Sequence, residues 1–170
     1  MPRAILLALA ALSIAGCAAE AEAPEAEPDL ELTGRVVDAA EILAAPYETE
    51  LTNRLAELEE TTGVQLVVAT TSDLGGREIS AYAHELANDW KIGSAERLDG
   101  LLMLVAPNER KVRIEVGYGL EASVKDEEAA FIIHDDIVPH FEQGDFEAGI
   151  AAGVDRLTEE VSPFELEEAA

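Results

Sequence analysis

From Tyr47 onward the apolar positions fall at Leu51, Leu55 and Leu58, a helical spacing, while Glu48, Glu50, Glu57, Glu59 and Glu60 take the wet face. Gly63 supplies the residue type that ends such a helix. Residues 64–71 read VQLVVATT, a β-branched and nearly continuous apolar run, which predicts a strand covered on both faces. After the loop Asp73-Leu74-Gly75-Gly76, residues 78–90 form a second helical segment with Ile79, Tyr82, Ala83, Leu86 and Trp90 on one stripe. Residues 101–106 and 111–116 are two strands joined by a turn at Pro107-Asn108-Glu109-Arg110. In the second of them Val112, Ile114 and Val116 alternate with Lys111, Arg113 and Glu115, as on a half-wet or edge strand. Gly117-Tyr118-Gly119-Leu120-Glu121 is a tight loop. Residues 126–141 and 145–161 are two further helices, and Ala130, Ile133, Ile137 and Phe141 are the expected apolar stripe of the first.

With a short strand at residues 35–38 in front, helices alternate with apolar strands, and one hairpin makes the sheet mixed. The expected fold is therefore α/β, a three-layer α/β/α sandwich with a mixed central sheet. No internal repeat is visible.

Upstream, a basic start at Met1-Pro2-Arg3 leads into an apolar run at residues 4–12 and then small residues before Cys17. That is the layout of a secretory signal over residues 1–16, too short to span a bilayer as a mature helix. Ile14-Ala15-Gly16-Cys17 resembles a bacterial lipobox, which implies lipid attachment at Cys17 and a membrane partner reached through that lipid; the alternative is an ordinary signal with a Cys placed by chance. Cys17 is the sole cysteine, which removes intrachain disulfides and thiolate-rich zinc sites from consideration. Residues 17–32, rich in Ala, Glu and Pro, read as an acidic extended tether. A domain over residues 33–162 and a short acidic tail over 163–170 complete the expected layout. Ala18 stands where lipoproteins retained in an inner membrane commonly carry Asp, so the resemblance implies an outer membrane, facing the periplasm.

A net charge of −25 excludes nucleic acid as a partner and disfavours docking on anionic lipid. It leaves hard cations, basic partners or plain solubility.

Residues from about Thr33 to Val161 resemble the TPM domain family. The resemblance rests on Val37-Asp38 with Ile42-Leu43, on Thr62-Gly63-Val64-Gln65-Leu66-Val67-Val68, on Trp90-Lys91-Ile92-Gly93 and on Asp99-Gly100-Leu101-Leu102. Its strongest part is the run from Arg110 to Glu121, RKVRIEVGYGLE; Ile137-Val138-Pro139 with Phe141 and Gly144-Asp145-Phe146 extend it. Members of the family have been assigned acid phosphatase activity and calcium binding, so the resemblance implies a domain rather than one reaction.

Asp38, Asp99 and Glu121 are the candidate metal ligands. Asp38 ends a strand, where open α/β sheets bind ligands. Asp99 enters a strand whose antiparallel partner leads to Glu121, so Asp99 and Glu121 are expected in one acidic pocket, with Asp38 as a third member. Calcium, with flexible oxygen coordination, is the cation that such carboxylates suit. The alternative is that these carboxylates cap helices and bind loop amides. Relatives often carry an Asp-Asn pair where this chain has Leu98-Asp99, which removes one oxygen ligand.

The remaining candidates are weaker. His134-Asp135-Asp136 reads as a solvated helix face, His84 as a surface or boundary residue, and His140 as a partner of a helix end. Tyr118 is either a ligand-contacting aromatic or a packed loop anchor. No GxSxG elbow and no phosphate-cradling P-loop is present. The expected function is an anchored extracytoplasmic binding or accessory module of the cell envelope, with an envelope protein as partner and calcium as a ligand. The alternative is a metal-assisted acid phosphatase, which needs positive charge at the phosphoryl group from a metal or from Arg110, Lys111 and Arg113.

Overall fold

A computed structural model of the chain describes residues 30–162. Cys17, the signal over residues 1–16, most of the tether and the tail over residues 163–170 lie outside the described residues. The elements are β1 (Val36–Asp38), α1 (Ala45–Thr62), β2 (Gln65–Thr70), α2 (Ile79–Asp89), β3 (Gly100–Ala106), β4 (Lys111–Val116), α3 (Asp126–Phe131), α4 (Val138–Phe141) and α5 (Phe146–Val161), with a 3-10 turn at Tyr118–Leu120 and a π-helical turn at Ile132–Ile137. Among the described residues no helix is long and apolar enough to cross a membrane.

The strands lie in the order β1-β2-β3-β4. β1, β2 and β3 are parallel, and β4 returns antiparallel to β3, so the sheet is mixed. Because strand side chains alternate between faces, the sheet buries two separate cores. On one face Leu66, Val68, Leu101, Met103, Val105 and Ile114 pack against Leu51, Leu55 and Leu58 of α1 and against α5. On the other, Val67, Ala69, Leu102, Leu104 and Ala106 pack against Tyr82, Ala83 and Leu86 of α2, with Ile79 and Trp90 at the margin. Burying each of the Val, Leu, Ile and Met side chains contributes about 1.5–3 kcal/mol. The α/β/α sandwich is thus the observed architecture, and β4 sits at the edge that its alternation predicts.

The local ends follow from residue type. Pro46 stands in the first turn of α1, where its missing N–H costs nothing, and Gly63 closes the helix at φ 75°. Asp145 caps α5 by accepting from the Ala148 amide at 3.0 Å.

The expected stripe on the third helix needs correction. Ala129, Ile132 and Ile137 are the buried positions, whereas Ala130 faces solvent and Ile133 is half-buried. The reason is the π-helical turn, whose wider winding resets the register between Ile132 and Ile137. Pro139, just beyond it, has no amide hydrogen and its ring crowds the carbonyl four residues back, so a regular α-turn does not fit there.

β1 and β2 release the chain to opposite faces, because α1 and α2 lie on different sides of the sheet. With β1, β2 and β3 parallel and in sequence order, one of the two crossovers is necessarily left-handed, against the usual preference. The carboxyl ends of β1 and β2 therefore flank the point at which such sheets ordinarily hold ligands.

Candidate ligand-binding cleft

Asp38 stands at that point, and its carboxylate is already engaged. Oδ1 accepts from Thr70 Oγ1 at 2.5 Å and from the Ile42 amide at 3.2 Å, and Oδ2 accepts from the Leu43 amide at 2.8 Å. Thr70 Oγ1 in turn accepts from the Ala40 amide at 2.9 Å. Asp38 thereby fastens the turn that leads into α1.

Asp99 is fully buried. Its Oδ1 accepts from the Ser94 amide at 2.8 Å, and its Oδ2 receives Arg97 Nε at 2.5 Å. Arg97 also reaches the Gly63 carbonyl at 3.0 Å, so one arginine ties the loop before β3 to the end of α1. Glu121 is exposed; its amide donates to the Tyr118 carbonyl at 3.5 Å, and among the described residues its carboxylate makes no hydrogen bond or ion pair.

The structure does not bring the three expected metal ligands together. Asp38 pairs with Thr70, and Thr70 with Val105, at the far end of β3 from Asp99. At the usual rise per residue that separates Asp38 from Asp99 by about 20 Å along the sheet. Asp99 and Glu121 share one end of the sheet, but Asp99 turns inward to Arg97 while Glu121 faces out. Among the described residues no group of three or more His, Cys, Asp or Glu side chains could hold a metal ion. The Asp38 and Asp99 oxygens are engaged by amides, a hydroxyl and a guanidinium, and the two side chains stand at opposite ends of the sheet, so they do not form one calcium site.

What does assemble at the Glu121 end is a cleft of about 340 Å³. One wall is α2, through His84, Ala87 and Asn88; Ile92 and Leu102 lie between the walls; the other wall is Glu115, Gly117, Tyr118 and Glu121, and Leu98 stands at the rim. His84 Nδ1 lies 2.9 Å from Glu115 Oε1, and Arg113 donates to Glu115 Oε2 at 3.1 and 3.2 Å.

Two loops form the rim, and they touch backbone to backbone. The Gly117 amide donates to the Gly100 carbonyl at 2.8 Å, and the Gly119 amide to the Leu98 carbonyl at 2.9 Å. A Cβ on Gly119 would fall 1.9 Å from the Arg97 carbonyl oxygen, so only glycine permits this approach. Two large apolar side chains stand out of the rim: Tyr118 is 79 % exposed and Leu98 is 49 % exposed. Leu98 also has φ 53°, a left-handed conformation that costs a residue with a Cβ about 1 kcal/mol or more and that concentrates at functional sites.

Tyr118 is thus not a packed anchor. His84 is exposed at the surface, as expected, and also lines the cleft. Asn88 and Glu115 carry no sequence signal that singles them out, and Leu98 stood out only as a departure from the pair common in relatives; the glycines flanking Tyr118 were the legible trace of this site. A second cavity, of about 470 Å³, lies at the carboxyl end of β3 and is lined by Arg110, Lys111, Phe141, Glu142 and Phe146 among others.

The TPM domain family matches residues 36–160, and the chain belongs to it. The N-terminal domain of a protein from P. gingivalis has a similar solved structure, with TM-score 0.71 and 30 % identity over 77 % of this chain and 83 % of that one. The BA42 protein of the psychrophilic bacterium Bizionia argentinensis is similar in fold, with TM-score 0.63 and 20 % identity over 74 % of this chain and 85 % of that one. So is the N-terminal domain of the cg2496 protein of Corynebacterium glutamicum, with TM-score 0.62 and 17 % identity over 88 % of this chain and 94 % of that one. No curated protein matches the chain.

Proposed function

We propose that this TPM-domain protein is a binding module of the cell envelope, exported, anchored through lipid on Cys17, and docking a partner protein in the cleft beside Tyr118. The observation that carries the docking is the pairing of an exposed Tyr118 with an exposed, left-handed Leu98 on a rim fixed by glycine contacts. Aromatic side chains on a rigid support are the usual anchors of protein recognition. The anchoring rests on the lipobox resemblance at Ile14-Ala15-Gly16-Cys17, and the acidic residues 18–31 suit an extended spacer between membrane and domain.

The phosphatase alternative has less support. The carboxylates that would hold its metal are committed to structural bonds, and the Arg110 and Lys111 cluster stands with the second cavity, apart from Glu121.

The test is co-purification from detergent-solubilised membranes of the native host. Wild-type protein sediments with membranes and retains a stoichiometric partner. Cys17→Ser leaves the membrane fraction, and Tyr118→Ala stays anchored but loses the partner. Membrane retention of Cys17→Ser overturns the anchor, and a partner kept by Tyr118→Ala overturns the docking site.

A further inference from the structure

We infer that the cleft beside α2 receives a basic polypeptide segment, with a lysine or arginine head held between the Tyr118 ring and the Glu121 carboxylate. This rests on the reading of the cleft as a docking surface and specifies what docks there.

Charge complementarity carries it. Besides the Tyr118 phenol, the ionisable side chains of the cleft are His84, Glu115 and Glu121, and no lysine or arginine lines it. Glu115 is already matched by Arg113 and His84. The Glu121 carboxylate has no hydrogen bond or ion pair among the described residues, so one carboxylate at the rim remains for an incoming cation. Beside it the Tyr118 ring is 79 % exposed, and an exposed aromatic face attracts ammonium and guanidinium groups. The cation–π contact found among the described residues uses another ring, with Arg77 lying 5.2 Å from the Tyr82 centroid.

The rest of the cleft suits the aliphatic part of such a segment. Ile92 and Leu98 offer apolar surface in the same cleft as Glu121, which matches a chain alternating basic and aliphatic side chains. A volume of about 340 Å³ accommodates a few side chains rather than a whole domain face. The glycine-to-backbone contacts fix the rim in advance, which lowers the ordering cost of association. A net charge of −25 adds long-range steering toward basic partners. The second cavity does not compete for this ligand, since Arg110 and Lys111 line it.

The experiment is a calorimetric titration of the full-length protein in detergent with a Lys-Leu hexapeptide amide, and with its Glu-Leu counterpart. The expected result is saturable binding of the Lys-Leu peptide, weakened about three- to fivefold by Tyr118→Ala or Glu121→Gln, and no binding of the Glu-Leu peptide. Asp135→Asn, on the π-helical turn outside the cleft, leaves the affinity unchanged. If Tyr118→Ala and Glu121→Gln bind the Lys-Leu peptide as the wild type does, attraction to a diffuse acidic surface explains it and the inference falls. Equal binding of the Glu-Leu peptide overturns it as well. Competition then separates the two levels. If the Lys-Leu peptide does not displace a partner that Tyr118→Ala loses, the basic segment is wrong and the docking site stands; if Tyr118→Ala loses no partner, both fall.

Discussion

Asp38 and Thr70 meet at 2.5 Å across the carboxyl ends of β1 and β2, the point where an open α/β sheet ordinarily keeps its ligand. Here the side chains themselves fill that point, and the Asp38 carboxylate also receives two amides of the following turn. Removing this acceptor leaves three donors without their partner. Asp38→Ala is expected to destabilise the domain by roughly 3 kcal/mol, and Thr70→Val by about 1.5 kcal/mol. The double variant is expected to cost less than the sum, because the two share a bond. Chemical denaturation of the four proteins measures this.

Arg97 and Asp99 form the second structural pair. Arg97 is 44 % exposed and Asp99 is fully buried, so truncating the arginine strands a carboxylate inside the protein. Arg97→Ala is expected to cost about 2–3 kcal/mol, toward the lower side for a pair with one wet partner. Because Asp99 serves this bond, wild type and Asp99→Asn are expected to respond alike when melting is followed against added calcium. A saturable calcium-dependent rise in the wild type, absent from a folded Asp99→Asn, would show a cation site at Asp99.

The glycines divide into two kinds. Gly119→Ala forces a Cβ against the Arg97 carbonyl and is expected to shift the rim loop and to weaken partner binding. Gly144 has φ 80° but open space around it, so Gly144→Ala is expected to cost only backbone strain, about 1 kcal/mol, with binding intact. Denaturation and co-purification of both variants distinguish the two effects.

Burial raises the Tyr47 phenol to about 12, and its hydroxyl donates to the Glu147 carbonyl at 2.9 Å. The folded state therefore holds this proton more tightly than the unfolded chain, whose phenol titrates near 10. The associated stability is fully present below pH 10 and is lost as the pH rises toward 12. Tyr47→Phe is expected to be less stable at neutral pH and to show a shallower alkaline loss in denaturation midpoints measured across that range.

Much of the architecture was legible because period and position agree. Leu51, Leu55 and Leu58 mark α1, the unbroken run of β2 marks a strand covered on both faces, and the alternation of β4 marks an edge. The stripe on the third helix was displaced because a π-helical turn breaks the 3.6-residue period, and Pro139, its visible cause, does not by itself specify where the extra residue goes. The site was legible only in part. Local pattern placed Asp38 and Asp99 at strand ends correctly, but strand order and direction decide whether two ends meet, and parallel pairing of β1, β2 and β3 sends them apart. Pattern is equally silent on which partner a carboxylate takes. Arg97, two residues from Asp99, gave no sign that it would turn back onto it. The cleft depends on α2 lying over β4, a long-range contact that brings His84 to Glu115.

The central claim is that recognition happens at the Tyr118 rim. The most direct test places a photo-crosslinking amino acid at position 118 and, separately, at the exposed position 135, in cells carrying the otherwise native chain. A discrete adduct of one mass from position 118, absent from position 135 and abolished by Leu98→Asp, is the predicted result. No adduct from position 118, or the same adducts from both positions, contradicts the account.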